Sequence, residues 1–128
     1  MSEGKRNFLQ WFKHYDITDD ENWLVVGDFN LIRKPENRNR PGGDDNEMLL
    51  FIEAISALGL IELPLHGKKY TWTNKQSPPL LERLDWFFTS SSWTTVDVRS
   101  DPNQTPIGPW MLGPLWTEER SEDVTLSW

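Results

Sequence analysis

Apolar positions along the chain fall into blocks of different period, and each block predicts an element. Phe8, Phe12 and Tyr15 stand at i, i+4 and i+7, with Leu9 and Trp11 alongside. That spacing predicts an amphipathic helix over roughly 6–15, ending near the acidic turn Asp16–Glu21. Trp23-Leu-Val-Val-Gly27 is a short continuous apolar run rich in β-branched residues. It predicts a central strand buried on both faces. Met48, Phe51, Ile52, Ile55 and Leu58 repeat at helical spacing again, and Asp44 followed by Glu47 forms a capping box before them. A helix over roughly 45–58 follows, with Gly59 in the left-handed position after it and Leu60 making the accompanying apolar contact.

Between these blocks, Arg33–Asp45 holds two Pro, two Gly, two Asn and many charges, and reads as an exposed loop. Further on, Leu60–Leu63 reads as a short strand and Pro64–Lys68 as a turn. Lys69–Asn74 reads as an alternating strand, Gln76–Pro79 as a turn and Arg83–Thr89 as a strand, the last two strands being able to pair as a hairpin with a longer loop. The expected fold class is α/β, with helices packed on one mixed, largely antiparallel sheet. Beyond Asp97 the pattern changes, because Pro102, Pro106, Pro109 and Pro114 interrupt it. Proline at this density removes ladder donors and breaks helices. Residues 97–128 are therefore expected to be an irregular Pro/Trp-rich tail, with at most a turn of helix near Thr117–Asp123, behind a domain covering 6–96. No internal repeat is visible.

Composition narrows the class of protein. At 128 residues and 37% hydrophobic content, the chain suits one domain or part of one. Eight Trp and six Phe are many large rings to hide, which argues against wholesale disorder. Absence of cysteine excludes disulfides, thiolate metal sites and thiol catalysis, and makes an intracellular location, nuclear or cytoplasmic, the default expectation. No stretch approaches the ~20 apolar residues that span a bilayer, so no membrane partner is expected. The net charge of -7 is unevenly spread: residues 1–30 hold three basic and six acidic groups, 31–90 eight of each, and 91–128 two and six. Phosphate-backbone binders usually carry a basic footprint, so this balance disfavours tight nucleic-acid binding by the chain alone.

The chemistry-bearing segment is Gly27-Asp28-Phe29-Asn30, which closes the buried strand. In a continuing strand, Asp28 and Asn30 project on one face. A carboxylate beside a carboxamide suits phosphodiester hydrolysis: the one accepts a proton from an attacking water or helps hold a hard divalent cation, the other donates to a phosphate oxygen. A strand-ending turn, with Asp and Asn satisfying local backbone groups, accounts for the same four residues.

Taken with the helix ending Leu58-Gly-Leu60, with Tyr70-Thr-Trp-Thr-Asn74 and with Glu82-Arg-Leu-Asp-Trp86, all in this order, Trp23–Asn30 resembles one family. The set is similar to the second half of the endonuclease/exonuclease/phosphatase superfamily, and most closely to the endonuclease domain of plant non-LTR, LINE-type retrotransposons. The resemblance covers roughly residues 8–93. It implies the C-terminal half of a four-layer α/β sandwich and hydrolysis of DNA phosphodiesters with Mg2+ or Mn2+. By the same resemblance Asp28 activates the water and serves as a metal ligand, Asn30 binds the scissile phosphate, and Asp85 orients a catalytic histidine. Arg83, a further candidate nucleic-acid contact, and Trp86 stand beside it. Trp72 lies at the nucleic-acid-facing rim, although Trp72 and Trp86 are equally suited to core packing. The basic loop with Arg33, Lys34, Arg38 and Arg40 is a further candidate nucleic-acid contact.

Departures from the family pattern are as informative as the matches. The family's Ser-Asp-His segment has Arg99-Ser-Asp-Pro102 as its nearest equivalent here, with proline in place of histidine. The two histidines, His14 on the first helix and His66 in a turn, match no family position. The family's N-terminal half, with its metal-binding Asn and Glu and its phosphate-binding Tyr and His, has no counterpart. These gaps imply weak or absent metal binding and a truncated, retroelement-derived endonuclease-like domain that is inactive alone. Other readings are a domain completed by a separately encoded N-terminal half, and a nucleic-acid or protein binding module without catalysis. A half-sandwich also implies that the inner sheet face, with parts of Trp23–Val26 and Leu84–Phe88, is exposed unless the tail or another chain covers it.

Overall fold

Both helices begin where a side chain can satisfy their first amides. The structure, a computed structural model, describes residues 2–17 and 23–91, together with the backbones of 95–99, 111–114 and 123–127. Helix α1 spans Glu3–Lys13, starting earlier than the apolar spacing predicts, because the Ser2 hydroxyl accepts from Lys5 N at 3.2 Å and Glu3 sits in the positive first turn. It buries Leu9 and Phe12. Strand β1 spans Trp23–Asp28, and helix α2 spans Asp45–Ala57 after a 3-10 turn at Pro35–Asn37. The Asp44 carboxylate caps α2, accepting from Asn46 N at 2.9 Å and Glu47 N at 3.2 Å. Glu47 also pairs with Lys5 Nζ at 3.3 Å, which ties the start of α2 to α1. Gly59 takes φ +64 and donates to Ser56 O, ending the helix as expected, and Leu60 is buried behind it.

The remaining elements are strands: β2 (Leu60–Glu62), β3 (Leu65–His66), β4 (Trp72–Thr73), β5 (Leu81–Glu82), β6 (Asp85–Ser90), β7 (Thr95–Arg99), β8 (Met111–Pro114) and β9 (Asp123–Ser127). A four-stranded sheet runs β2-β6-β1-β8 with every neighbour antiparallel. β1 is therefore central, as its apolar run predicts. Two smaller sheets accompany it, β3-β7-β9 with parallel pairs and β4-β5 antiparallel. Helices and mainly antiparallel strands make this a mixed α/β chain, but among the described residues the single sheet expected from sequence is replaced by three.

Two expectations need correction. The segment 97–128 is not wholly irregular: β7 runs into it, and β8 and β9 lie within it. Pro114 is tolerated because β8 is an edge strand, where a missing N–H breaks no ladder. The turn of helix expected near 117–123 lies outside the described residues, apart from Asp123 in β9. The hairpin also differs, since β4 pairs with β5 (Trp72 opposite Glu82, Thr73 opposite Leu81) and the chain breaks step at 83–84 before β6.

Strand alternation divides β1 and β6 between two faces. Val25, Trp86 and Phe88 join Leu9, Phe12, Phe51, Ala54 and Ile55 of the helices in one core cluster with Phe29, Leu31 and Leu60. Its rings meet mostly edge to face; Phe51 lies 6.1 Å from Trp86 and from Phe88. Facing the other way, Val26 and Phe87 are only 4% and 1% exposed. That face is thus covered within the chain itself, one of the two ways a half-sandwich can avoid a bare inner face.

Candidate functional site

Asp28 is the last residue of β1, and the register sets it directly opposite Asp85, the first residue of β6. Phe29 N donates to Leu84 O at 3.0 Å, so the neighbouring Asp28–Asp85 pair falls at a non-hydrogen-bonded position of the antiparallel ladder. Side chains approach most closely at such positions, where Cα atoms stand about 4.5 Å apart. Two carboxylates therefore sit side by side on the face turned away from the helices.

The backbone around them explains the rest of the Gly-Asp-Phe-Asn segment. Gly27 has φ +145, outside the range that side-chain-bearing residues adopt readily, and Asn30 has φ +53, a left-handed conformation that asparagine tolerates. Asn30 N donates to Asp28 Oδ1 at 2.8 Å, closing an Asx turn. The strand stops at Asp28, so Asn30 does not share its face by strand alternation. Both side chains are exposed.

Asp85 is buried, and its carboxyl is pushed up to about 6. Burial is the main cause. The Thr71 hydroxyl opposes it by hydrogen bonding, the facing charge of Asp28 raises it further, and Lys68 and Arg83 pull it down. Thr71 does more than touch the carboxylate: its Oγ1 accepts from Leu84 N at 2.9 Å and Asp85 N at 3.2 Å, which fixes the break between β5 and β6. Sequence reasoning missed this residue, although it lies inside the Tyr70–Asn74 segment. Asn74 of that segment has a structural task, its Oδ1 accepting from Gln76 N and Leu80 N to hold the loop.

The basic candidates divide. Arg83 pairs with Glu62 at 3.2 Å and lies 4.2 Å over the Trp86 ring. Arg33 pairs with the other oxygen of Glu62 and lies 5.8 Å from the Trp86 ring centre. Arg38 stands 3.9 Å from Glu82. All three are partly buried, and Arg33 and Arg38 of the basic loop face intramolecular carboxylates. Trp86 is fully buried and donates its Nε1 hydrogen to Leu31 O at 2.8 Å, which makes it a core residue. Trp72 is 42% exposed at the surface.

His14 hydrogen-bonds Gln10 O through Nδ1 at 2.8 Å at the end of α1, and His66 is exposed on β3. Arg99 closes β7, while Asp101 and Pro102 lie outside the described residues.

Asp28 offers one exposed carboxylate with an oxygen already engaged by the Asn30 amide, and Asp85 is buried with its carboxyl pushed up to about 6. Magnesium prefers about six oxygens in octahedral geometry. Among the described residues no group of three or more His, Asp and Glu side chains gathers to hold a metal ion, so these two do not by themselves fit a resident divalent cation. Nor is any helix among them long and apolar enough to cross a membrane. No family model, curated protein or solved structure matches this chain.

Proposed function

We propose that this chain is a truncated, retroelement-derived endonuclease-like domain, the C-terminal half of a four-layer sandwich of the endonuclease/exonuclease/phosphatase type, and that it does not cleave nucleic acid alone. The observation that carries this reading is the Asp28–Asp85 pair. Two carboxylates from distant segments, each picked out by a family-like motif, face each other across adjacent strands with Asn30 one turn away.

In such a site Asp28 accepts the proton of an attacking water, Asn30 donates to a phosphate oxygen, and Asp85 orients a protonated histidine. This chain has no histidine at Asp85, and losing one such electrostatic stabiliser typically costs ~10²–10³ in rate. A divalent cation such as magnesium or manganese would supply charge to the phosphate only if a partner chain carrying the N-terminal half brought the remaining oxygen ligands to Asp28.

Incubation with supercoiled plasmid DNA and magnesium or manganese, from about pH 5 to 9, is expected to give no nicking. Robust nicking that disappears in Asp28→Ala overturns the silent reading. Co-expression with an N-terminal half of a LINE-type endonuclease domain is expected to yield a co-purifying complex. Failure to form one counts against the half-domain assignment.

A further inference from the structure

On the helix side of the four-stranded sheet, the side to which Trp86 turns, a cavity of about 220 Å³ is lined by Arg33, Lys34, Ile52, Glu62 and Trp86. The lining is of two kinds. Ile52 of α2, 41% exposed, and the buried ring of Trp86 are apolar, whereas Arg33 and Lys34 bring positive charge. Among the described residues Glu62 is the one carboxylate in the lining, and it already holds Arg33 through Nη1 and Arg83 at 3.2 Å. The local balance is thus positive on a chain whose net charge is -7.

The Arg33 guanidinium narrows the ligand. Its Nη1 donates to Glu62, but its Nε is buried and lacks a hydrogen-bond partner. The rings of Trp86 and Phe88 lie 5.8 and 5.9 Å from Cζ, so the group rests over an apolar floor that offers Nε no acceptor. Buried donors without a partner are rare, and a charged one left unmet is costly. With Nη1 engaged by Glu62, the remaining edge of the planar fork, Nε with Nη2, matches the two oxygens of a carboxylate side by side. The backbone that carries it is fixed, since the buried Asn37 accepts from Arg33 N at 3.0 Å and from Lys34 N at 2.9 Å. We propose that the cavity binds a small apolar monocarboxylate, its two oxygens on Nε and Nη2 of Arg33 and its hydrocarbon part against Ile52 and Trp86. Pockets for drug-sized ligands run from roughly 300 Å³ upward, so this volume suits an acid of one ring or a short chain. Water alone is a poorer occupant, because each buried water needs about two to four polar partners and Ile52 supplies none.

This site uses none of Asp28, Asn30 and Asp85, so it stands or falls apart from the reading above. Benzoate is the probe, titrated into the isotope-labelled full chain while the arginine Nε–H signals are followed by NMR. The Arg33 signal, identified by its loss in Arg33→Lys, is expected to move saturably at millimolar benzoate. Arg33→Lys keeps a cation beside Glu62 but removes the two-donor edge, and benzoate, followed now at the Trp86 indole, is expected to bind about tenfold or more weakly. Ile52→Gln changes an exposed residue and leaves Arg33 in place; it is expected to weaken benzoate by about threefold or more. Inorganic phosphate, which meets the fork but not the apolar wall, is expected to bind more weakly than benzoate. An Arg33 signal that ignores benzoate, an unchanged affinity in Ile52→Gln, or phosphate binding as tightly as benzoate overturns the proposal.

Discussion

Along β6, alternate side chains occupy two environments that both bury them and have opposite consequences. Trp86 and Phe88 turn toward the helices and are fully buried among rings, where each contributes about 1.5–3 kcal/mol of transfer free energy. Asp85 turns the other way at 6% exposure, and the same loss of water now works against the group, pushing its carboxyl up to about 6. One strand thus stabilises the fold with one face and stores a cost in the other. A cost retained at a buried carboxylate, directly opposite a second one, is the kind of arrangement found where chemistry is or once was performed.

The comparison breaks most visibly on the apolar side. Phe88→Ala is expected to cost about 3–5 kcal/mol in urea unfolding, since its ring packs on Phe29, Phe51 and Trp86. A loss below about 1 kcal/mol would mean that this face is not the core.

Next in size is Asp85→Asn, whose effect depends on pH. The folded chain holds the Asp85 proton more tightly than the unfolded one, with about 6 against an ordinary 3.8. The stability contributed by the protonated form is therefore complete below about pH 4 and lost as pH rises through 6. Relative to the parent, Asp85→Asn should gain roughly 2–3 kcal/mol between pH 4 and pH 8, measured by urea unfolding across that range. A parallel pair of stability curves would contradict the burial argument. Smallest is Asp28→Asn, which removes only the facing charge. It is expected to move the Asp85 titration, followed by carboxyl carbon NMR, downward by a fraction of the total displacement, because burial remains.

Legibility in the sequence followed the range of the interactions involved. Helix α2 was readable almost to the residue, because Asp44, Glu47 and Gly59 act on amides and carbonyls within a few positions of themselves. β1 was readable from its apolar run. The start of α1 was not, since the apolar spacing begins at Phe8 and the cap at Ser2 carries no hydrophobic signal. Asp28 and Asp85 were each picked out by motif, but their register depends on long-range pairing that no local spacing encodes. The same limit hid the ion pairs of Arg33 and Arg38: a charged loop looks solvated until Glu62 and Glu82 arrive from elsewhere in the chain. Lys68 and Thr71 went unremarked for the same reason. Prolines in the last quarter signalled irregularity, yet an edge strand can absorb one at its end, as β8 does at Pro114.

That edge strand has a consequence for synthesis. On its way out of the ribosome the chain completes β6 and zips it onto β1 long before Met111 appears, so Trp23–Val26 waits with one row of amides and carbonyls unclaimed until β8 is made. An apolar strand with a bare edge is a template for other chains. A message cut short between the codons for Ser91 and Met111 would yield a polypeptide with both carboxylates and both helices, but with its most adhesive border uncovered.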